Sequence, residues 1–301
     1  MKEMLTDKDM PQLYDNIING IKEYFEDNNL KSAVIGISGG IDSAVCAALC
    51  YAAFKNSPEI IVIGRSLPIS TNTTDEILRA DRIGINFCNE FKKVDLSIPC
   101  KELTSEIEWF ESYFNETEME RKIRQGNIKA RLRMIKLYDV SQINKGLVIS
   151  TDNFTEWMLG FWTLHGDVGE YTPMQKLMKT EVYMLAEYIA GIYSTELHKA
   201  NAMTQCIEAV PTDGLGITES DISQLEVASY EEVDEVILAY VNNPKRVPEI
   251  YKNHPIIKRI ENSMFKRPGG PLENNIAFMA LKELFNDAPI SGGYINEKLS
   301  V

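Results

Sequence analysis

Through the first half of the chain, short apolar runs alternate with stretches that are apolar on one side only. Leu13, Ile17, Ile18, Ile21 and Phe25 recur at helical spacing and predict an amphipathic helix over 11–25. Residues 33–37 read as a short apolar strand, and 43–54 as a helix of small residues suited to close packing on a sheet. Further buried strands fall at 59–64 and 91–96, separated by a helix over 73–85 in which Thr73 and Glu76 have capping-box spacing. Helices over 99–114 and 119–143 lead to a fourth strand at 146–150. Continuous apolar strands alternating with helices predict an α/β fold, a parallel β-sheet with helices on both faces.

Beyond Asn153 the pattern loosens. A loop-rich stretch runs to Tyr171, followed by a helix from about 175 to 190, one over 231–240 and another after "PKRVPEI". The tail from about 262 to 301 is rich in Gly and Pro. With no linker in view, the expectation is a single elaborated domain over 1–301. Ligands of such folds sit outside the carboxyl ends of the strands. Three polar segments fall there: "SGGIDS" (38–43), "GRSLPIS" (64–70) and "STDNFTE" (150–156).

Composition changes this picture little. The chain has 301 residues, 44% hydrophobic and 25% charged, as in ordinary globular proteins. Its longest apolar run, 44–54, is too short to span a bilayer, and the N-terminus has no apolar signal core. Five cysteines without a tight CxxC pair speak against a zinc site or a disulfide framework and fit a reducing cytoplasm. With 31 basic and 44 acidic residues the net charge is −13, which argues against a nucleic-acid partner but not against a small anionic ligand.

The segment "VIGISGGIDS" (34–43) carries the first chemistry. Its glycines let backbone N–H groups converge on an anion, the following helix offers its positive end, and Ser38 and Ser43 add hydroxyls. It lacks the GxxxxGK[ST] pattern of the common phosphate loop. Asp42 is out of place beside phosphate unless a divalent cation lies between. A plain strand-to-helix turn with a capping Asp or Ser accounts for the same residues.

"SGGIDS" after a strand resembles the signature of the N-type ATP pyrophosphatases, whose fold is the adenine nucleotide alpha hydrolase-like sheet. "NIKARLRM" (127–134), "STDNFTEWMLGFWTLHGD" (150–167), "LMKTEV" (177–182) and "VPTDGL" (210–215) then resemble, in order and spacing over about 10–270, ammonia-dependent NAD synthetase. That resemblance implies a ligase that adenylates nicotinate adenine dinucleotide with ATP and amidates it with ammonia. It assigns ATP to Gly36, Ile37, Ser38, Gly39, Gly40, Ile41, Asp42, Ser43, Arg65, Thr151, Lys179 and Thr212. It assigns Mg2+ to Asp42 and Glu156, and the acid dinucleotide to Arg131, Asp167, Glu170 and Lys266. Asp42 and Lys179 would carry the catalysis, and the acceptor would bind across a homodimer.

The residues themselves leave room for plainer readings. Lys129, Arg131 and Arg133 also fit a solvated basic face, and Glu156 a helix-dipole partner. Lys179 is less easily explained as structural, because a helix start is a poor place for a cation. Trp157, Phe161 and Trp162 read first as core, and His165 stays open as a ligand-loop residue. The chain departs from the family pattern at Asn153 (for His), Leu164 (for Lys), Val168 (for Gly) and Phe265 (for His), changes expected to lie on the acceptor side. Another adenylating ligase of the superfamily, or a non-catalytic nucleotide sensor, are the alternatives.

Overall fold

The computed structural model describes residues 2–111, 116–212, 214–216, 220–244 and 247–267; the side chains of 108–111 are not described. Four strands form one parallel sheet: β1 (Ser32–Gly36), β2 (Ile61–Ser66), β3 (Glu90–Lys93) and β4 (Gly146–Val148), in the order β3-β2-β1-β4. The predicted strands are all present, displaced by one to three residues at their ends. Ser32 pairs with Ile61 on one side and with Gly146 on the other. An isolated parallel bridge, Ile149 to Tyr171, continues the sheet beyond β4.

Successive β1 side chains leave on opposite faces, as pleating requires. Ala33 and Ile35 join a core with α1 (Met10–Asp27), α2 (Ile41–Phe54) and α3 (Thr74–Phe87). The same core takes in α7 (Lys179–Ile192) and α8 (Leu197–Ile207). Val34, Ile63 and Val148 join Cys100 of α4 (Ser97–Glu111) and Met134, Leu137 and Val140 of α5 (Glu118–Ile143) on the other face. The sheet is therefore covered on both faces, which explains its continuous apolar strands. Thr73 caps α3 through the reciprocal box with Glu76 read from the sequence.

A third cluster joins the short helices α6 (Phe154–Leu159) and α9 (Asp221–Leu225) to α10 (Tyr230–Asn242) and α11 (Pro255–Asn262). Trp157 and Phe161 pack there, and the Arg259 guanidinium lies 4.0 Å above the Phe161 ring. Helix α7 begins at Lys179, four residues later than expected; Leu177 N–H instead closes a turn onto the Met174 carbonyl. Helix α6 begins where Glu156 was read at a helix start, while α8 and α9 lie where the sequence gave no element.

By its contacts the chain divides into Met1–Ser263 and Met264–Val301. The first holds the whole sheet. Of the second only 264–267 are described, including a single 3-10 turn at Met264–Lys266.

The strand order matters for function. From β1 the chain winds outward through β2 to β3, then returns to place β4 on the opposite flank of β1. The crevice between the carboxyl ends of β1 and β4 is a topological switch point, where such sheets bind ligands.

Candidate active site

The loop leaving β1 turns sharply into α2. Gly39 has a φ of +86°, and a Cβ there would stand 2.2 Å from the Glu76 carbonyl of α3. Both facts demand glycine. Gly40 has an ordinary extended backbone, φ −88°, and caps α2. Inside the loop, Ser38 Oγ accepts the Gly40 N–H at 3.2 Å and lies 3.0 Å from Ser43 Oγ, which in turn donates to the Gly40 carbonyl. Arg79 Nε donates to the Gly39 carbonyl at 2.9 Å and fixes the loop from outside.

Three helix starts meet at this crevice. Asp42 stands in the first turn of α2, Glu156 in the first turn of α6, and Lys179 opens α7. Lys179 Nζ donates to Asp42 Oδ2 at 2.5 Å and to Glu156 Oε1 at 3.0 Å, with only 3% of its side chain exposed. Burial works against its ammonium, but the two carboxylates outweigh burial and hold the lysine well above its ordinary value. Burial and the facing Asp42 charge push the Glu156 carboxyl up. Asp152, next to Thr151 at the end of β4, is raised to about 7 by burial and by the charges of Asp167 and Asp42, against a hydrogen bond from Ser150.

A cation at a helix start opposes the helix dipole. The protein offsets this with Asp234 of α10, a fully buried carboxylate. Its Oδ2 accepts the N–H of Thr180 at 2.9 Å and the Thr180 hydroxyl at 2.8 Å, while Oδ1 accepts from the Thr155 hydroxyl. The Thr155 hydroxyl oxygen in turn accepts the N–H of Lys179 at 2.9 Å. Helices α6, α7 and α10 are thus locked together beneath the lysine.

Asn153 belongs to the same cluster. Its Nδ2 donates to Asp42 Oδ1 at 2.8 Å, its Oδ1 accepts the Glu156 N–H, and Glu156 Oε2 accepts the Asn153 backbone N–H in return. The change at Asn153, expected on the acceptor side, thus falls in contact with both carboxylates. Asn153 and Glu156 have the N-x-x-E spacing of a capping box, so the sequence did carry the signal. Thr155 and Asp234 had no such signal.

The remaining predicted residues are more scattered. Gly36 ends β1 and Ile41 opens α2, with Ile37 and Ile41 buried in the core, and Thr151 lies in the segment after β4. Thr212 donates to Glu76 Oε1 at 2.8 Å, next to the α3 cap. Arg65, by contrast, is buried with its guanidinium on Glu90 Oε1 at 2.6 Å and on the Gly64 carbonyl, so an ion pair occupies the group expected at ATP. On α5, Arg131 donates to the Leu164 carbonyl at 3.2 and 3.1 Å. Lys129 and Arg133 are not a solvated face: they hold the carbonyls of Leu215, Leu67 and Gly214. Asp167 Oδ1 accepts the Thr163 N–H at 2.7 Å and closes the "TLHGD" loop, where His165 is exposed with φ +54°. Glu170 Oε2 accepts the Val148 N–H at 3.2 Å. Lys266 lies in the 3-10 turn of the second unit.

Among the described residues no three His, Cys, Asp or Glu side chains cluster as a metal site. The donor set that fits a hard cation is the Asp42–Glu156 pair, whose converging oxygens already hold one positive group.

The profile of the NAD synthase family matches residues 13–268. An NH(3)-dependent NAD(+) synthetase of Finegoldia magna is 35% identical over 260 residues, 85% of this chain and 93% of that protein. The same enzyme of Mesoplasma florum is 33% identical over 81% of this chain and 92% of its own. Among solved structures, an NH3-dependent NAD synthetase of Campylobacter jejuni superposes with a TM-score of 0.60 at 26% identity, covering 86% of this chain and 94% of that one. An NMN synthetase of Francisella tularensis shares the fold, with a TM-score of 0.68 at 23% identity over 88% and 97% of the two chains. The glycine loop, the carboxylate pair and the lysine lie within the matched residues, and the chain belongs to the NAD synthase family.

Proposed function

We propose that the chain is a ligase that amidates nicotinate adenine dinucleotide with ammonia at the expense of ATP, releasing NAD, AMP and pyrophosphate. The observation that carries the reading is the triad of Asp42, Glu156 and Lys179 at the switch point, beside the glycine loop that opens α2.

A carboxylate is a poor electrophile. An oxygen of the nicotinate carboxylate attacks the α-phosphorus of ATP, pyrophosphate leaves, and the product is an acyl adenylate. Ammonia then attacks the acyl carbon, AMP leaves, and one proton is released as the amide forms. Two anions must approach each other in the first step, so the site has to supply positive charge. Ser38, Ser43 and the start of α2 receive the phosphates, Lys179 neutralises charge on the departing pyrophosphate, and Thr151 and Thr212 flank the nucleotide. Asp42 and Glu156 would hold Mg2+, which bound there would screen and orient the phosphates. Arg131, Asp167, Glu170 and Lys266 are assigned to the acceptor.

The proposal includes a homodimer. In support, Ile98 and Leu103 of α4 and Ile123 of α5 are exposed, and a cavity lined by Ile107, Ile123, Asn127, Ile128 and Arg131 opens near α4 and α5. A cytoplasmic location fits five cysteines that are all thiols. No described helix is long and apolar enough to cross a membrane.

The test is to incubate the protein with ATP, Mg2+, ammonium and nicotinate adenine dinucleotide and to follow NAD and AMP together. Equal amounts of both, lost in Asp42→Ala, support the reading. AMP without NAD points to an adenylating enzyme of another acceptor, discharging here onto water. ATP binding with neither product returns the nucleotide sensor.

A further inference from the structure

We propose that Asn153 is a positioning residue that presets the Asp42 and Glu156 carboxylates for a divalent cation; the proposal rests on the metal reading above. Each carboxylate divides its oxygens between the same two residues. Asp42 gives Oδ1 to Asn153 Nδ2 at 2.8 Å and Oδ2 to Lys179 Nζ at 2.5 Å. Glu156 gives Oε2 to the Asn153 N–H at 3.3 Å and Oε1 to Lys179 Nζ at 3.0 Å. Asn153 therefore holds the remote oxygen of both acids, and the two other oxygens converge on the one point where positive charge stands.

Two like-charged carboxylates left to themselves rotate apart. Lys179 bridges the inner oxygens; Asn153 fixes the outer ones from behind, the task of the outer shell in a cation site. Asn153 has no exposed surface, and its side-chain oxygen also accepts the Glu156 N–H at 2.9 Å, which fixes the turn that carries Glu156. It spends its backbone N–H, amide oxygen and amide nitrogen on this one pair. A helix cap needs only the oxygen. The donor aimed at Asp42, 111 residues away, serves no capping purpose.

The distinction can be tested because the two roles separate chemically. Serine at 153 keeps an acceptor for the Glu156 N–H but is one atom shorter and withdraws the donor from Asp42. Asn153→His supplies two ring nitrogens for the two roles; His254 uses its pair in a related way, its Nδ1 accepting the Ile256 N–H two residues on at 3.3 Å while its Nε2 meets Glu232 Oε1 at 3.0 Å.

Mn2+ is titrated by electron paramagnetic resonance into the wild type, Asp42→Asn, Asn153→Ser and Asn153→His, each with α,β-methylene-ATP, and thermal melting is recorded in parallel. The expectation is that Asn153→Ser melts with the wild type but binds Mn2+ roughly 10–100-fold more weakly, and that Asn153→His binds within a few-fold of wild type. Wild-type Mn2+ affinity in Asn153→Ser overturns the proposal. Should Asn153→Ser melt early, Asn153→His decides: native melting with wild-type affinity supports positioning, whereas native melting with weak binding, or early melting of both variants, overturns it. Mn2+ binding that Asp42→Asn leaves unchanged is a different result, and it removes the metal reading itself.

Discussion

Lys179 and Asp42, 137 residues apart in sequence, meet with the ammonium 2.5 Å from carboxylate Oδ2. Removing the lysine leaves two acids facing each other without a cation. Breaking a buried ion pair from one side costs about 3–5 kcal/mol. Asp42 and Glu156 keep 17% and 19% exposure, so the low end, about 3 kcal/mol, is expected for Lys179→Met. Urea unfolding measures it, and Mg2+ should restore more stability to the variant than to the wild type. Equal stability of variant and wild type would show that the contact contributes nothing.

The two loop glycines differ sharply. Gly39→Ala forces a side chain into a positive φ and against the Glu76 carbonyl, an expected loss of about 1–3 kcal/mol with a raised KM for ATP. Gly40→Ala meets only Ser38 Oγ, at 3.4 Å, and should be close to neutral in stability. Thermal melts and ATP kinetics of the pair make the comparison; similar behaviour of both variants contradicts it.

Much of this site was legible in the sequence. The apolar strands and the "SGGIDS" turn located the crevice, and matching motifs picked out Asp42, Glu156 and Lys179 before any geometry was known. The capping role of Asn153 was passed over because the residue was weighed as a departure from a family pattern, although its N-x-x-E spacing obeys the same grammar as Thr73 and Glu76. Asp234 was invisible for a physical reason. Its partners Thr155 and Thr180 lie 79 and 54 residues away, and no local pattern announces a cap supplied by a distant helix. Arg65, read as following a strand, lies within β2, where Glu90 on the neighbouring strand pairs with it.

Asp234→Ala removes the cap of α7 and strands the Thr155 and Thr180 hydroxyls. Lost capping and buried unsatisfied groups together predict about 2–4 kcal/mol of destabilisation. Asp234→Asn keeps the acceptor for the Thr180 N–H and should lose less. Chemical denaturation of both variants tests the order, and an equal loss in the two would refute the capping role.

Asp152 predicts a pH dependence. Its folded value near 7 lies above the ordinary 3.8, so the folded protein binds this proton more tightly than the unfolded chain. The stability it contributes is complete below 3.8 and is lost as pH rises through 7. Asp152→Asn escapes that loss. Melting curves without divalent cations should show the variant gaining on the wild type between about pH 4 and 7. A difference that does not vary with pH would exclude a raised Asp152.

The switch-point topology also bears on synthesis of the chain. Asp42 is made early, Glu156 only after β4 has been translated, and Lys179 later still. A nascent chain that has β1, β2 and β3 holds Asp42 and the glycine loop without Glu156, Lys179 or the strand that flanks β1 on the other side. On the proposed reading, a nucleotide meets the full triad only once β4 has docked against β1 and α7 has arrived.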